Sequence, residues 1–164
     1  DGNATLGVEL SVKDFDAVIV PIGGGGLSSG IIKGLCDSGN TAQVIAAEPL
    51  LANDASRSLQ AGKIVANEQE PQTIADGART LAIGEHNWKI LQSGLAGIIE
   101  VSDEAICDAV RILFTLVNLK VEPTGALSLG AILENREDFI GKKVCLVVSG
   151  GNVDAEVYRN MLGS

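Results

Sequence analysis

Residues 16–30 read Asp-Ala-Val-Ile-Val-Pro-Ile-Gly-Gly-Gly-Gly-Leu-Ser-Ser-Gly, and they constrain the fold more than any other stretch. Residues 17–22 are apolar and partly β-branched, which fits a strand covered on both faces. Four consecutive glycines follow. Without side chains they let a ligand come close, and they can turn several backbone N–H groups toward one point. Leu27 and Ser28 then open a helix whose positive end faces the same point. Strand, glycines and helix start together form a cradle for an anion, with phosphate the best fit. A plain flexible turn would not need four glycines in a row.

The pattern around this stretch is α/β. A short helix is expected over 3–12, with Asn3 as N-cap. The helix after the glycines ends near Gly39 and Asn40, and a second strand, 44–48, is closed by Pro49. Residues 17–48 therefore read as a βαβ unit with a right-handed connection. A helical run ends at Gly62, and 63–73 is a loop. Trp88, Ile90 and Leu91 mark a short helix, and 97–101 a third strand. Ser102 caps a helix whose apolar face is Ile106, Val110, Leu113, Phe114 and Val117. Glu122-Pro123-Thr124 interrupts, and 125–133 is helical again. Strand 144–148 runs into Ser149-Gly150-Gly151-Asn152, and a last helix covers about 153–162. Aromatic content is only 3%, with 20 glycines, which agrees with a parallel sheet clad in helices. The expected architecture is a three-layer α/β fold, a mostly parallel sheet with helices on both faces. Its two glycine loops should meet at the C-terminal edge of the sheet.

A net charge of −9 argues against nucleic acid and anionic membrane as partners, so an anion would be held by local N–H groups. Cys36, Cys107 and Cys145 are scattered, with no C-x-x-C pair. That makes zinc and disulfides poor readings and points to a reducing, cytoplasmic setting. Cys107 and Cys145 sit in apolar segments and read as core residues. His86, the lone histidine, reads as a surface or capping residue.

Taken alone, the glycine loop leaves two readings open. A P-loop is excluded, because Gly30 is followed by Ile31 and not by Lys-Ser/Thr. A Rossmann-type NAD site stays open. Gly24 and Gly26 occupy the first two places of G-x-G-x-x-G, although Ser29 holds the third, and Glu48 follows at the end of the next strand.

Five motifs in order take the reading further: Gly23-Gly24-Gly25-Gly26, Ala47-Glu48-Pro49, Thr73-Ile74-Ala75-Asp76-Gly77, Glu122-Pro123-Thr124 and Ser149-Gly150-Gly151-Asn152. Together they resemble the second half of the serine racemase and threonine/serine dehydratase family. These are fold type II pyridoxal-phosphate enzymes of the tryptophan synthase β-like fold, and this chain would be their large-domain portion. The resemblance implies that Gly23, Gly24, Gly25 and Gly26 cradle the phosphate of pyridoxal 5'-phosphate. It implies that Ser149 meets the pyridine nitrogen, that Gly77 lets backbone approach the ring, and that Glu122 lies near it. It aligns Glu48, Ala52 and Asp54 with a site for Mg²⁺ or Ca²⁺. Two carboxylates and a carbonyl suit such a cation. Asn152 matches a position that contacts a nucleotide effector in the racemases, with a helix cap as the plainer alternative.

The same resemblance exposes a gap. The family holds its cofactor through a Schiff-base lysine in a Ser- and Asn/Arg-flanked motif. Lys13, Lys33, Lys63, Lys89, Lys120, Lys142 and Lys143 all lack that context. The expectation is a single domain, 1–164, that forms the C-terminal part of such an enzyme. It would act in a lyase or racemase on a small amino acid, lack the catalytic lysine, be inactive alone, and self-associate into a homo-oligomer. Asp1-Gly2-Asn3 and Gly163-Ser164 read as cut ends. Other readings are a non-catalytic fragment that binds phosphate compounds or self-associates, and the NAD binder.

Overall fold

The structure is a computed structural model that describes residues 2–163. Helix α1 (Ala4–Ser11) leads into strand β1 (Ala17–Pro21), helix α2 (Gly26–Asp37) and strand β2 (Gln43–Pro49). Helix α3 (Asp54–Ala61), helix α4 (Glu85–Gly94) and strand β3 (Leu95–Val101) follow. Helices α5 (Asp103–Val117) and α6 (Pro123–Glu134), strand β4 (Val144–Leu146) and helix α7 (Ala155–Gly163) complete the chain. Among the described residues the four strands make one parallel sheet, ordered β3-β2-β1-β4. In register, Val18 stands between Val44 and Cys145, and Ile19 between Ile45 and Leu146.

Alternation along each strand divides the core in two, as a period of two requires. Ile19, Ala47 and Val101 point to one face and pack with Ile106, Val110 and Leu113 of α5, Leu127 of α6 and Met161 of α7. Val18, Val20, Val44 and Ala46 point to the other face, against Ile31 and Leu35 of α2 and Leu91 of α4. The fold is the expected three-layer α/β fold. Cys107 and Cys145 are half-buried against these clusters, and burial pushes both thiols up from their ordinary pKa. Among the described residues no helix is long and apolar enough to cross a membrane.

Several local expectations are corrected. Asn3 has helical angles and makes no cap hydrogen bond; its side chain instead packs against α2, where a Cβ on Gly30 would meet Asn3 Cβ at 2.5 Å. Phe114 and Val117 are 44% and 58% exposed, outside the buried face that Ile106, Val110 and Leu113 make. Phe114 stands edge-on to Tyr158 of α7 at 5.8 Å. Helix α6 starts at Pro123 and not at Gly125, since a proline at the first helical position gives up an N–H that had no partner there anyway. Strand β4 stops at Leu146, although Val147 N–H still donates to Ile19 O at 2.9 Å. Helix α7 is capped by Asp154, whose Oδ1 accepts from the N–H groups of Glu156 and Val157, so Asn152 is no helix cap.

The seam between β1 and β4 carries both glycine loops, and a buried hydroxyl holds it. Ser128 Oγ of α6 lies 3.0 Å from both Ile19 O and Val147 O, positioned to donate to either carbonyl. Ser128→Ala should lower stability by about 1 kcal/mol, the net worth of one buried hydrogen bond. Urea unfolding checks this by a lower midpoint at unchanged slope.

Candidate functional site

The loops after β1 and β4 leave the same edge of the sheet side by side, as parallel neighbours must. Between them lies a cleft of about 280 Å³ lined by Pro21, Gly23–Gly26, Leu27, Gly77, Glu122, Thr124 and Ser149. All seven residues predicted from the sequence for an anion and its attached ring therefore line one cleft. Pro21, Leu27 and Thr124, from the same stretches, join them without having been assigned a role. Larger clefts exist elsewhere on the surface, but none gathers these residues.

The glycine loop is built for close approach. Gly25 has φ +83°, left-handed backbone that a side chain disfavours, and a Cβ there would sit 2.6 Å from Leu91 Cδ1. Gly24 has open space instead, its nearest neighbour being Thr80 Cγ2 at 3.9 Å. Gly24 O accepts from Asn87 Nδ2 at 2.6 Å and from Gly84 N–H at 3.2 Å, and Ser29 Oγ donates to Asn87 Oδ1 at 3.1 Å. The N–H groups of residues 23–27 donate to no acceptor among the described residues. Five unused donors at the start of a twelve-residue helix are an arrangement that can receive an anion.

The opposite wall is braced from α6. Gly77 N–H donates to Thr124 Oγ1 at 3.0 Å, and a Cβ on Gly77 would meet that same oxygen at 3.0 Å. Glu122 N–H donates to Gly150 O, while Glu122 Oε2 accepts from Asn152 N–H at 2.9 Å. A Cβ on Gly150 would reach Glu122 Oε1 at 2.6 Å. Glu122 thus shapes the loop that presents Ser149 as well as lining the cleft. Ser149 itself is exposed and lies six residues before α7. It is not a helix cap.

Glu48, Ala52 and Asp54 are all buried, and none of them lines the cleft. Glu48 is 2% exposed, and its carboxylate accepts from Ala55 N–H at 2.7 Å and Ser56 N–H at 2.8 Å at the start of α3. Glu48 does not line the cleft, so it does not stand where an NAD site at the glycine loop would need an acid for the ribose. Burial pushes Glu48 up to about 8 despite those two bonds. Asp54 is 1% exposed and is pushed up to about 6, again by burial, against the pull of Arg57 and Asn67. Asp54 Oδ1 accepts from Asn67 Nδ2 at 3.0 Å, while its Oδ2 is buried without a partner. Asn67 had no local signal marking it; it lies in the polar 63–73 loop and ties this corner to Thr80 O. Among the described residues no three His, Cys, Asp or Glu side chains form a metal cluster.

Residues 1–150 match a family model described as "Pyridoxal-phosphate dependent enzyme". The chain is 40% identical over 157 residues to a β-hydroxyaspartate dehydratase of Paracoccus denitrificans, covering 94% of this chain and 49% of that protein. The solved structure of maize serine racemase superposes with TM-score 0.88 at 34% identity, covering 99% of this chain and 51% of the other. That of the processed threonine deaminase isoform 2 of Solanum lycopersicum gives TM-score 0.91 at 26% identity, covering 99% and 46%. The chain spans about half the length of the curated relatives it matches.

Proposed function

The chain belongs to the pyridoxal-phosphate dependent enzymes, and from that premise we propose that it is half of a lyase or racemase acting on β-hydroxy amino acids. Serine, threonine and 3-hydroxyaspartate define the class, after the names of the similar proteins. The observation that carries the reading is the row of unused N–H groups at residues 23–27, sharing a cleft with Ser149. Those groups would hold the phosphate, and Ser149 would meet the ring nitrogen through a neutral hydroxyl. Gly77 would let backbone lie against the ring. Glu122 would hold the Ser149 loop in place. When bound, the cofactor supplies an electron sink for the bond broken at the substrate's Cα.

The covalent tether and the proton-transferring base are assigned to a complementary half. No lysine is among the residues that line the cleft. This chain is proposed to bind the cofactor without turning substrate over. Glu48, Ala52 and Asp54 are proposed as a cation loop for Mg²⁺ or Ca²⁺. The unpartnered Oδ2 of Asp54 supports that fit, since a hard cation is satisfied by such an oxygen.

Thermal unfolding with added ligands tests the reading. Pyridoxal 5'-phosphate at about 100 times its Kd should stabilise the chain by about 3 kcal/mol, while pyridoxal, which binds more weakly without the phosphate, stabilises it far less at the same concentration and NAD leaves it unchanged. Equal protection by pyridoxal would remove the phosphate cradle from the account. Ammonia release from serine, threonine or 3-hydroxyaspartate by the chain alone would overturn its assignment as a half-enzyme.

A further inference from the structure

We propose that Asn87 is a positioning residue that locks the Gly24–Gly25 peptide with its N–H toward the cleft. The inference rests on the phosphate reading of that cleft. A trans peptide unit points its carbonyl and its N–H in opposite directions. The carbonyl of this unit, Gly24 O, is drawn toward α4 by Asn87 Nδ2 at 2.6 Å and by Gly84 N–H at 3.2 Å. The N–H of the same unit, on Gly25, must then face away from α4, on the side where Gly25 lines the cleft, and it has no protein acceptor.

The lock is needed because the peptide joins two glycines. Both residues have wide backbone freedom, and Gly24 has no neighbour closer than 3.9 Å to a built Cβ. A flip of this one unit would turn a carbonyl oxygen toward a bound dianion in place of an N–H, exchanging attraction for repulsion. Asn87 is itself held. Ser29 Oγ, from the first turn of α2, donates to Asn87 Oδ1 and so keeps the amide nitrogen on the Gly24 side. Hydroxyl, amide and peptide form a relay from α2 through α4 to the loop.

Titration of wild type, Asn87→Ala and Ser29→Ala with inorganic phosphate, pyridoxal 5'-phosphate and pyridoxal, followed by calorimetry, tests the lock. Asn87→Ala should weaken both phosphate ligands by about 10- to 100-fold, the loss of one hydrogen bond to a charged group, and leave pyridoxal binding unchanged. Ser29→Ala keeps the amide but frees its orientation, and should weaken phosphate by about 3- to 10-fold. That variant carries the test if Asn87→Ala fails to fold. Unchanged phosphate affinity in the folded variants overturns the lock and leaves the cofactor assignment standing. Parallel loss of phosphate and pyridoxal binding marks Asn87 as merely structural and also overturns it. Wild type that binds neither phosphate nor pyridoxal 5'-phosphate sinks the cofactor assignment, and the lock with it.

Discussion

Gly25→Ala is expected to lower stability by about 2–4 kcal/mol and to abolish binding of pyridoxal 5'-phosphate. Two independent costs add. The residue stands at φ +83°, where an alanine loses roughly 1–2 kcal/mol to contact between its Cβ and the following carbonyl. The new methyl would also sit 2.6 Å from Leu91 Cδ1 and 3.2 Å from Asn87 Cβ. Leu91 is fully buried in the core between α2 and α4, so it cannot swing aside without overpacking that face. Relief comes by displacing the loop, which moves its N–H groups off their common point. Gly24→Ala is the matched control. Its Cβ has 3.9 Å of space, so stability should change by under about 0.5 kcal/mol. Denaturant unfolding of both variants, each with and without cofactor, separates loss of fold from loss of the cradle. Wild-type stability in Gly25→Ala would mean that the loop is not held as described.

The parts of this site that could be read from sequence are those in which one short segment carries the whole cause. An apolar run followed by four glycines is such a segment; in the fold outside the site so is Ser102, whose Oγ does accept from Ala105 N–H at the start of α5. Helix and strand identities followed from periodicity for the same reason. What stayed hidden depends on contacts far apart in the chain. Asn87 reaches Gly24 across 63 positions, and Thr124 reaches Gly77 across 47. Asn87 stands in no pattern that would set it apart from other polar helix residues, and the Glu122-Pro123-Thr124 motif that contains Thr124 carries no sign of its partner Gly77. Glu122 was legible as a cleft residue but not as a brace, because its partner Asn152 N–H arrives only when the β4 loop folds back. Phe114 and Val117 failed for a different reason. Spacing tells which residues share a helix face, not how much of that face other elements cover.

Stability in the absence of divalent cations is expected to fall as pH rises from about 4 to 8, by up to about 1.4 kcal/mol per pH unit for each of two buried carboxylates. The sign follows from Glu48 and Asp54. Glu48 moves from an ordinary 4.5 to about 8 on folding, and Asp54 from 3.8 to about 6, in both cases because burial disfavours the charged form. Between each pair of values the folded chain still holds a proton that the unfolded chain has released. The unfolded state therefore binds fewer protons, and stability declines as pH rises. Above about 8 both carboxylates are ionised in the fold and the decline ends. Glu100 adds to the effect on Glu48 by repulsion, while Arg57 opposes it at Asp54. A cation held by these oxygens would substitute for the protons. Millimolar Ca²⁺ or Mg²⁺ should then restore stability at pH 8 and do little at pH 5, where protons already neutralise the pair. Glu48→Gln combined with Asp54→Asn should flatten the pH profile and remove the cation's effect. Thermal midpoints across pH 5–8, with and without chelator, measure both. A rising profile in wild type would overturn the burial assignment, and an equal cation response in the double variant would move the cation elsewhere.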